Sequence, residues 1–388
     1  MKVLIVGSGG REHAIAWKIS QSALVEKIFC APGNEGTKET GENVNINAED
    51  TNGIVSFAKK NSIDLVIVGP EAPLVNGLVD ELKKEGIRAF GPSKKAAILE
   101  GSKAFARELL KKYHIPSADF ACFENAQEAL NYLHKKGAPI VVKADGLAAG
   151  KGAIVCETIK EAEDAIQKIM VEKEFGDAGK IVILEEKLLG EEASYLAFTD
   201  GTAMIPMASS QDHKRIFDGD LGPNTGGMGA YSPAPIVDSK TEEFILKKIL
   251  APTIDAMKKE GREYKGVLYA GLMITRNGPR VIEFNCRFGD PETQVILPRL
   301  KSDLIPILLG CIDGTLPAKE AKWKSDACTC VVIASKGYPS KYEKGKEIRG
   351  LKDITGATVF HAGTKKENGK ILTSGRRVLG ISALGSTI

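Results

Sequence analysis

The stretch Val3-Leu-Ile-Val-Gly-Ser-Gly-Gly-Arg-Glu-His13 decides how this chain begins to fold. Its four apolar residues, Val3–Val6, predict a buried strand, and a glycine turn leads directly into a helix through Trp17 and Ile19. A buried strand, a turn and a helix in this order are typical of a parallel α/β sheet. Backbone N–H groups at the start of such a helix form a cradle for a phosphate, and the alternative is a bare tight turn.

The same pattern of apolar strands and helices continues to residue 101. Further strands are predicted at Val25–Ala31, Asp64–Val68 and Ile87–Gly91, with a helix at Leu74–Lys84. Continuous apolar strands separated by helices predict a parallel sheet that is covered on both faces. Residues 1–101 are therefore expected to form an N-terminal α/β domain of the Rossmann-like kind, which binds a substrate phosphate.

A compact α+β unit is predicted between residues 120 and 188. Its elements are predicted to be the helix Ala126–Lys135, the strands Ile140–Lys143 and Gly152–Cys156, the helix Lys160–Met170 and the strand Lys180–Glu186. Gly-rich joints flank these pieces, so we interpret the unit as a lid inserted into a larger core. The core is expected from residues 102–119 and 189–320, and Ser102 is expected to cap its first helix.

The core and the end of the chain are predicted to be α+β and strand-rich, respectively. The core is expected to hold a helix at Thr241–Lys259 and paired strands at Val267–Thr275 and Arg280–Asn285, joined by a hairpin at Asn277-Gly278. A strand at Cys328–Ser335 is expected to open a small C-terminal domain, residues 321–388. The predicted fold class is thus a multi-domain α/β and α+β protein.

The composition of the 388-residue chain argues against binding to nucleic acid or to a membrane. Its formal net charge is only +3, too small to indicate an extended anionic partner. No apolar stretch approaches the roughly 20 residues that span a bilayer. Seven dispersed cysteines fit reduced thiols better than a disulfide framework, so the expected location is the cytoplasm.

The glycine-rich start does not match a dinucleotide-binding fingerprint. Glu12 stands where the third glycine of that fingerprint is required. Ala31-Pro-Gly33 replaces the acidic residue expected after the second strand. A nicotinamide-dependent oxidoreductase is therefore disfavoured, and the turn is expected to hold a single phosphate, with Arg11 close to it.

The segment Lys143-Ala-Asp-Gly-Leu-Ala-Ala-Gly-Lys-Gly152 predicts a second phosphate site. Lys143 ends an apolar strand, where an unpaired ammonium would be costly to bury. A lysine on a strand, followed by a glycine loop that carries Lys151, suits a nucleoside triphosphate. The segment is not a Walker loop, because no helix with Lys-Ser or Lys-Thr follows it. A solvated hairpin is the alternative.

Alternation along Val281–Arg287 predicts a metal-binding face. Glu283, Asn285 and Arg287 are expected to project from one side of a strand. The intervening residues, Ile282 among them, are expected to pack behind. A carboxylate beside an amide oxygen suits Mg²⁺ shared with phosphates, and the arginine suits an anionic substrate. The alternative is an ordinary amphipathic strand.

Two polar segments are compatible with more than one function. The acidic stretch Glu185–Glu192 is either a solvated face or a hinge that offers backbone groups to adenine and a carboxylate to ribose. The segment Ser210–Tyr231 is a predicted long loop rich in glycine, and loops of this length are usually functional. Within it, His213 is either a general base or, as we favour, a binding or structural residue.

Taken together, these segments resemble the phosphoribosylamine–glycine ligase family of ATP-grasp enzymes, in order and in spacing, across essentially the whole chain. The matching segments are Gly7–His13, Val68-Gly-Pro-Glu-Ala-Pro-Leu74, Lys143–Gly152, Gln211-Asp-His-Lys-Arg215, Gly222–Tyr231 and Val281–Glu292. The combined pattern is specific, although each segment alone is not. Composition and periodicity indicate only a multi-domain α/β nucleotide enzyme, so the identity of the substrates comes from the resemblance.

The resemblance implies a role for each matching residue. Those facing ATP would be Lys103, Lys143, Glu185, Glu186, Lys187, Leu188, Glu192, Arg215 and Asn224. Those around phosphoribosylamine would be Gly9, Gly10, Arg11, Glu71, Asp212 and Arg287. Glu283 and Asn285 would bind the metal, and the catalytic residues would be Lys143, Asp212 and Arg287.

The resemblance also implies the reaction. An ATP-dependent ligase would join glycine to 5-phosphoribosylamine through glycyl phosphate, giving glycinamide ribonucleotide, ADP and phosphate in purine biosynthesis. Mg²⁺ or Mn²⁺ would be the cofactor. A closed lid would exclude water, which otherwise hydrolyses an acyl phosphate. The expected partners are the two small substrates, with the enzyme a monomer that makes transient contact with neighbouring purine-pathway enzymes.

Two alternative functions share parts of this pattern. Another ATP-grasp ligase, joining a different carboxylate to an amine or to bicarbonate, would keep the nucleotide motifs but not the match along the whole chain. A non-catalytic nucleotide sensor would need a broken metal pair, whereas Glu283 and Asn285 are both present. The family usually continues beyond the motif at Ala383-Leu-Gly385, so the C-terminal domain is expected to be incomplete.

Overall fold

The computed structural model describes residues 1–148, 152–316 and 321–388. The first part of the chain forms a sheet whose strands are β1 (Lys2–Gly7), β2 (Lys27–Pro32), β3 (Glu42–Asn43), β4 (Leu65–Val68) and β5 (Arg88–Phe90). They pair in the order β3-β2-β1-β4-β5, and every pair is parallel. The central strand β1 is wholly buried from Val3 to Val6, as expected for a parallel sheet covered by helices.

The helices of this part of the chain differ from the prediction at one point. They are α1 (Gly10–Ile19), α2 (Thr51–Lys60), α3 (Glu71–Asn76), α4 (Leu78–Lys84), α5 (Lys94–Gly101) and α6 (Lys103–Lys112). The prediction of a single helix over Leu74–Lys84 was wrong, because the helix is interrupted at Gly77, whose φ is +95°. Glycine adopts this left-handed conformation readily, and the turn lets both short helices bury leucines, Leu74 and Leu78.

The segment from residue 120 to residue 186 folds around an apolar core of its own. Its elements are β6 (Phe120–Phe123), α7 (Ala126–Lys136), β7 (Ile140–Ala144), β8 (Ala153–Cys156), α8 (Ile159–Ile166), which continues as a π-helical turn (Gln167–Val171), and β9 (Val182–Glu186). The strands form an antiparallel sheet in the order β6-β9-β7-β8. Leu133 and Ile166 bring the helices onto this sheet. A separate core allows such a unit to move as one body.

The next part of the chain provides the floor of the site described below. Its elements are β10 (Glu191–Thr199), β11 (Met204–Pro206), β12 (Gln211–Asp212), β13 (Arg215–Phe217), β14 (Leu221–Asn224), β15 (Gly229–Ser232), α9 (Ser239–Phe244), α10 (Ala251–Lys259), β16 (Gly266–Thr275), β17 (Gly278–Asn285), α11 (Thr293–Arg299) and α12 (Leu304–Asp313). The floor is the antiparallel sheet β11-β10-β16-β17. The predicted hairpin is confirmed, although Thr275 pairs with Gly278, so Arg276-Asn277 is the loop.

The end of the chain forms a sheet that also recruits strands from the middle. The strands of this part of the chain are β18 (Ala327–Ala334), β19 (Thr358–His361), β20 (Thr364–Glu367), β21 (Lys370–Thr373) and β22 (Arg377–Gly385). Of these, β20 and β21 pair with each other in a separate two-stranded sheet. The sheet order is β12-β15-β18-β22-β19. The prediction of one long loop over Ser210–Tyr231 was therefore wrong, since this segment supplies β12, β15 and the hairpin of β13 with β14. The local sequence could not reveal that pairing, because the partner strand begins at Ala327.

The predicted fold class is confirmed by these sheets: a parallel α/β sheet comes first, two antiparallel sheets follow, and the C-terminal part is rich in strands. The first parallel sheet and the floor sheet share one apolar core, to which Leu4 and Leu268 both belong. The lid core is separate from it. Within the described part of the chain, no helix combines the length and the apolar character needed to cross a membrane.

Candidate active site

A cavity of about 1330 Å³ lies where these four parts of the chain meet. The first sheet contributes the glycine turn after β1, and the lid contributes β7 and the hinge after β9. The floor contributes β17, and the C-terminal part contributes the loops after β19 and before β22. Of the residues that the sequence assigned to sites and that the structure describes, all but Gly10 line this cavity.

A buried lysine lies on the lid side of the cavity, at the end of β7. The Nζ atom of Lys143 is 2.7 Å from Glu185 Oε2 and donates to the carbonyl oxygen of Ile282 at 3.0 Å. Burial lowers the pKa of Lys143, and the attraction of Glu185 opposes that shift. The ammonium group therefore has the partner that its burial requires.

Glu185 is shared by two cations. Arg107, on α6, donates to its two carboxylate oxygens, through Nε at 2.5 Å and through Nη2 at 2.8 Å. Burial alone would raise the pKa of Glu185, but Lys143 and Arg107 outweigh burial and lower it. Both oxygens of Glu185 accept from the protein, and the residue also lines the cavity, so its expected contact with the nucleotide stays a prediction.

The metal-binding face predicted on β17 depends on an irregularity in that strand. The pairing of β17 with β16 skips Ile282, which is an extra residue in the strand, a β-bulge. The bulge shifts the alternation, so Val281 and Phe284 are buried while Ile282 and Glu283 are both partly exposed at the cavity. The prediction that Ile282 packs behind the strand was wrong for this reason.

Lys214, between β12 and β13, lies among three carboxylates. Its Nζ atom is 2.8 Å from Glu192, 3.5 Å from Glu283 and 3.9 Å from Asp212. Burial lowers the pKa of Lys214, but these carboxylates outweigh burial and raise it well above its ordinary value. The motif Gln211–Arg215 includes this lysine, but the motif predicted no role for it. Its position two residues after Asp212 was the sequence signal that could have identified it as a site residue.

The same cluster keeps Glu283 ionised. Burial would raise its pKa, yet the surrounding lysines, Lys214 first among them, lower it to about 2. The carboxylate is therefore charged over the whole physiological range. A charged oxygen donor at this place is suited to a hard divalent cation.

Asp212 faces a buried polar network. Its Oδ1 accepts from the Ser194 hydroxyl at 3.4 Å, and Ser194 also contacts Tyr269 OH at 2.9 Å and Glu292 Oε1 at 3.1 Å. Burial is the main cause that raises the pKa of Asp212 to about 7, with Lys214 opposing the shift and Glu292 adding to it. A carboxylate that titrates near neutrality is suited to proton transfer.

The glycine turn after β1 is built around the side chain of Glu12. This carboxylate accepts the Gly9 N–H at 2.6 Å and pairs with Arg11 Nε at 2.5 Å. A Cβ atom at Gly7, Gly9 or Gly69 would come within 2.9 Å of the Glu12 side chain. Glu12 therefore fills the space that these three glycines leave open, which accounts for the departure from the dinucleotide fingerprint.

Gly10 does not face the cavity. A Cβ atom there would lie 2.6 Å from Gln294 Nε2, so this glycine permits the close approach of α1 and α11. The expected contact between Gly10 and a phosphate, which the main-chain N–H would make, stays a prediction. Arg11, by contrast, lines the cavity and donates through Nη1 to the Phe288 carbonyl at 3.2 Å.

Arg287 joins the first sheet to the end of β17. Its Nε is 3.2 Å from Glu71, and its Nη2 is 3.1 Å from Glu100 and 2.9 Å from Asn285 Oδ1. Burial would lower the pKa of Arg287, but Glu100 and Glu71 raise it. The structure thus brings Glu71 and Arg287 into contact and links both to Asn285.

The start of the lid loop is fixed to the first turn of α6. Asp145 accepts the Ala104 N–H at 3.0 Å, and Lys103 Nζ donates to the Gly146 carbonyl at 2.6 Å. Lys103 therefore reaches the cavity from α6, opposite the lysine on β7. Lys151, which was expected over the outer phosphates, lies outside the described residues.

The expected adenine, ribose and outer-phosphate residues come from two elements. Glu186, Lys187 and Leu188 form the hinge between β9 and β10 and line the cavity. Arg215 and Asn224 lie opposite each other in the hairpin of β13 with β14. The structure brings both groups to the same cavity, and their contacts with a nucleotide stay a prediction.

His213 lies at the edge of the cavity. Its ring is 5.5 Å from the ring of Tyr231, and its main-chain N–H donates to the Gly229 carbonyl at 3.0 Å. These contacts hold the residue in the strand segment. They are compatible with the binding or structural role favoured for it, which stays a prediction.

The C-terminal part closes the substrate end of the cavity, and no sequence motif predicted its contacts there. Arg377 pairs with the Asp290 carboxylate at 3.0 Å and donates to the Asp290 carbonyl at 2.8 Å. Asn34 Nδ2 donates to the carbonyls of Gly9 at 3.3 Å and His361 at 2.7 Å. No local motif signals these contacts, because Asn34 and His361 are 327 residues apart.

The fold and the cavity together define a class of enzyme. A lid with its own antiparallel sheet closes over a second antiparallel sheet that carries Glu283, and lysines reach the space between them from both sides. This is the architecture of the ATP-grasp enzymes.

Within that class, the chain belongs to the phosphoribosylglycinamide synthetase family. Family models of the N domain, the ATP-grasp (A) domain and the C domain match residues 1–100, 101–293 and 328–388. The resemblance inferred from the sequence is confirmed.

Relatives along the whole chain agree with this assignment. A phosphoribosylamine–glycine ligase of Caldanaerobacter subterraneus is 52% identical over 387 residues, covering 100% of this chain and 93% of the relative. One of Vibrio parahaemolyticus is 54% identical over 393 residues, covering 100% of this chain and 92% of the relative. The crystal structure of a Thermotoga maritima phosphoribosylamine–glycine ligase has a TM-score of 0.86 at 34% identity, covering 100% of this chain and 93% of that one.

Proposed function

We propose that this chain joins glycine to 5-phosphoribosylamine with ATP, giving glycinamide ribonucleotide, ADP and phosphate. Curated relatives that carry the name of this activity match the chain from end to end. One structural observation carries the proposal: a single cavity connects a lysine-lined nucleotide end with the glycine turn at the other end. Such a reaction requires glycine to reach the triphosphate, and the amine to reach the glycyl phosphate formed there, in one enclosed space.

ATP would lie at the end of the cavity between the lid and the floor. Lys143 and Lys103 would neutralise its phosphates from β7 and α6. Backbone groups of the hinge, around Leu188, would contact the adenine, and Glu192 would hold the ribose hydroxyls. Glu192 now pairs with Lys214 at 2.8 Å, so binding of the ribose would replace that contact.

Glu283 and Asn285 fit a divalent cation, since both present oxygen atoms and the carboxylate has a pKa of about 2. Within the described ranges, no group of three or more His, Cys, Asp or Glu residues is placed to hold a metal ion. Phosphate oxygens of ATP would therefore complete the coordination of the ion. Mg²⁺ or Mn²⁺ bound there would supply neutralisation of the charge on the transferred phosphoryl group.

The first step makes glycine reactive. A carboxylate oxygen of glycine attacks the γ-phosphorus, the bond to the bridging oxygen breaks, and ADP leaves with that electron pair. Lys214 and Arg287 lie on the floor of the cavity where they can hold the carboxylate and the transferred group. The lid excludes water, which would otherwise hydrolyse glycyl phosphate.

The second step forms the amide. The amine of phosphoribosylamine attacks the carbonyl carbon of glycyl phosphate, inorganic phosphate leaves, and the nitrogen loses a proton. Asp212, whose pKa is about 7, is suited to accept that proton. At the substrate end, Arg11 would face the sugar phosphate beside the turn at Gly9, and Glu71 would hold ribose hydroxyls.

We also infer the setting in which the enzyme works. All seven cysteines are free thiols, which supports a reducing compartment, the cytoplasm. The separate lid core supports residues 120–188 as a unit distinct from 1–101, from 102–119 with 189–320, and from 321–388. We propose a monomer that makes transient contact with neighbouring enzymes of the purine pathway and binds no nucleic acid.

The proposal is tested by the products that purified protein makes from ATP. ADP and phosphate should form in equal amounts, and only when glycine, Mg²⁺ and freshly made phosphoribosylamine are all present. Formation of AMP and pyrophosphate would contradict the acyl-phosphate route. Equal turnover with bicarbonate or another amino acid in place of glycine would assign the chain to a different ATP-grasp reaction.

A further inference from the structure

Arg107 is a buried side chain that none of the sequence motifs includes. Its guanidinium group is bound on one side by the carboxylate of Glu185. On the other side it donates to two main-chain carbonyls of β17, from Nη1 to Val281 at 3.2 Å and from Nη2 to Ile282 at 2.5 Å. With 3% of its side chain exposed, Arg107 is committed to these partners on two separate elements, β9 and β17.

The Ile282 carbonyl is the place where the lid and the floor meet. It accepts from Arg107 and also from Lys143 Nζ, at 3.0 Å. Ile282 is the extra residue of the bulge, so it has no pairing partner in β16. A buried carbonyl without a donor is costly, and the two cations therefore stabilise the bulged conformation.

The bulge determines which residues of β17 face the cavity. Regular alternation from the buried Val281 would turn Glu283 and Asn285 toward the buried side of the strand. The extra residue reverses their direction, so both side chains line the cavity. The predicted metal-binding pair thus depends on the conformation that Arg107 supports.

We propose that Arg107 is a positioning residue for the reaction. From α6 it fixes the bulge that presents Glu283 and Asn285, and through Glu185 it fixes the place of Lys143. The Arg107 guanidinium group thereby fixes the positions of Glu283 and Asn285 relative to Lys143. The inference rests on the proposed function, in which these groups hold ATP and its metal ion.

Loss of the guanidinium group would disturb both ends of this arrangement. The Val281 carbonyl would lose its arginine donor, and the Ile282 carbonyl would keep only Lys143. Glu185 would also keep Lys143 as its one cationic partner, which would hold the lysine away from the phosphates. Substitution of groups that orient metal ligands typically weakens metal binding by about 10–100-fold. A lysine at this position would keep the charge but could not form the two-pronged contact with the carboxylate.

The test compares Arg107→Met and Arg107→Lys with the control variant Arg299→Met. Arg299 is also a buried arginine, 6% exposed, and it donates to the main-chain carbonyl of Asp326 at 2.7 Å, but it does not line the cavity. For each variant, calorimetry measures binding of a non-hydrolysable ATP analogue over a series of Mg²⁺ concentrations. Glycine and phosphoribosylamine are left out, so the outcome does not depend on which acid and amine the enzyme joins.

The Mg²⁺ concentration that gives half-maximal binding should rise by about 10–100-fold in Arg107→Met and by less in Arg107→Lys. In Arg299→Met it should stay within about twofold of the wild-type value. A folded Arg107→Met with the wild-type Mg²⁺ dependence would overturn the proposal, and so would an equal shift in Arg299→Met. If Arg107→Met does not fold, unchanged Mg²⁺ dependence in Arg107→Lys would overturn it.

Discussion

The two ends of the cavity hold their charges in different ways. At the nucleotide end, Lys143 and Lys214 pair with carboxylates from other strands, at 2.7 Å from Glu185 and 2.8 Å from Glu192. At the substrate end, the pair beside the glycine turn, Arg11 with its neighbour Glu12, lies inside one turn, although Arg287 there pairs with Glu71 across two elements. Pairs between separate elements can exchange a protein partner for a ligand, whereas a pair within one turn is fixed by local geometry.

The packing behind the two ends differs in the same sense. The lid that carries Lys143 has its own apolar core, while the first sheet shares a core with the floor. We therefore expect the nucleotide end to rearrange when its ligands bind and the substrate end to be largely preformed. Substitutions at each end of the cavity test that contrast.

The largest effect is expected from Glu283→Gln at the nucleotide end. Glutamine keeps the shape of the side chain but removes the charge that attracts the metal ion and Lys214. Turnover should fall by about 10³-fold or more, equivalent to ~4 kcal/mol of transition-state stabilisation, measured as steady-state ADP release. Glu243→Gln, on the exposed face of α9, is the control and should keep wild-type turnover. If a folded Glu283→Gln variant kept a turnover within about threefold of the wild-type value, Glu283 would be an ordinary strand residue with no role in binding the metal ion.

At the substrate end, Arg11→Ala should affect one substrate only. Its removal takes a cation from the glycine turn and leaves Glu12 buried without that partner. We expect the KM for phosphoribosylamine to rise by about 10–100-fold while the KM for ATP stays nearly unchanged. Arg88→Ala, exposed on the same sheet, controls for the loss of a surface charge. A rise in the KM for ATP instead would mean that the two phosphate sites are assigned the wrong way round.

The contact between the glycine turn and the C-terminal sheet should depend on pH. His13 Nδ1 accepts the His361 N–H at 2.8 Å, and burial, assisted by His361, lowers the pKa of His13 to about 3. Unfolded histidine has a pKa near 6.5, so the unfolded chain takes up this proton first as the pH falls. The stabilisation is complete above pH 6.5 and is lost progressively toward pH 3.

His13→Asn tests this dependence, since asparagine Oδ1 can accept the same N–H without titrating. Between pH 7 and pH 5 the wild type should lose about 2 kcal/mol more of its free energy of unfolding than the variant. Urea denaturation at the two pH values measures this difference. Equal losses in the two proteins would show that His13 does not link the first sheet to the C-terminal sheet.

The smallest effect is expected from Gly10→Ala. The added methyl group would meet Gln294 Nε2 at 2.6 Å, so the variant should lose about 1–2 kcal/mol of stability with both KM values unchanged. In a Gln294→Ala background the same substitution should cost almost nothing, because its collision partner is gone. A higher KM for phosphoribosylamine without loss of stability would show instead that Gly10 contacts the sugar phosphate.

Local patterns predicted the parts of the molecule that local physics decides. The apolar run at Val3–Val6 identified a buried strand, and the alternation of Glu283, Asn285 and Arg287 identified a polar strand face. The bulge at Ile282, which the sequence does not show, turns that face toward the cavity. The continuous helix over Leu74–Lys84 was a reasonable but wrong interpretation, because the apolar period continues across Gly77 while the backbone does not. From sequence alone, a glycine at that position is compatible with a continuous or an interrupted helix, and its φ of +95° shows the interruption.

Long-range partners account for what the sequence could not predict. Arg107 and Glu185 are 78 residues apart, and Arg377 and Asp290 are 87 residues apart, with no pattern that joins either pair. The bulge at Ile282 is likewise set by pairing with β16 and by donors from two other elements. The sequence therefore indicated residues that line the cavity, and the fold determined which of them touch.

The central claim is that the carboxylate of glycine becomes an acyl phosphate before the amide forms. The most direct measurement uses glycine labelled with ¹⁸O in its carboxylate, with ATP, Mg²⁺ and phosphoribosylamine, and mass spectrometry of the released phosphate. The oxygen that attacks the γ-phosphorus stays on phosphorus when the amine displaces phosphate from the carbonyl carbon. One ¹⁸O atom in each phosphate, and none in ADP, is the predicted result. Unlabelled phosphate released alongside glycinamide ribonucleotide would contradict the account.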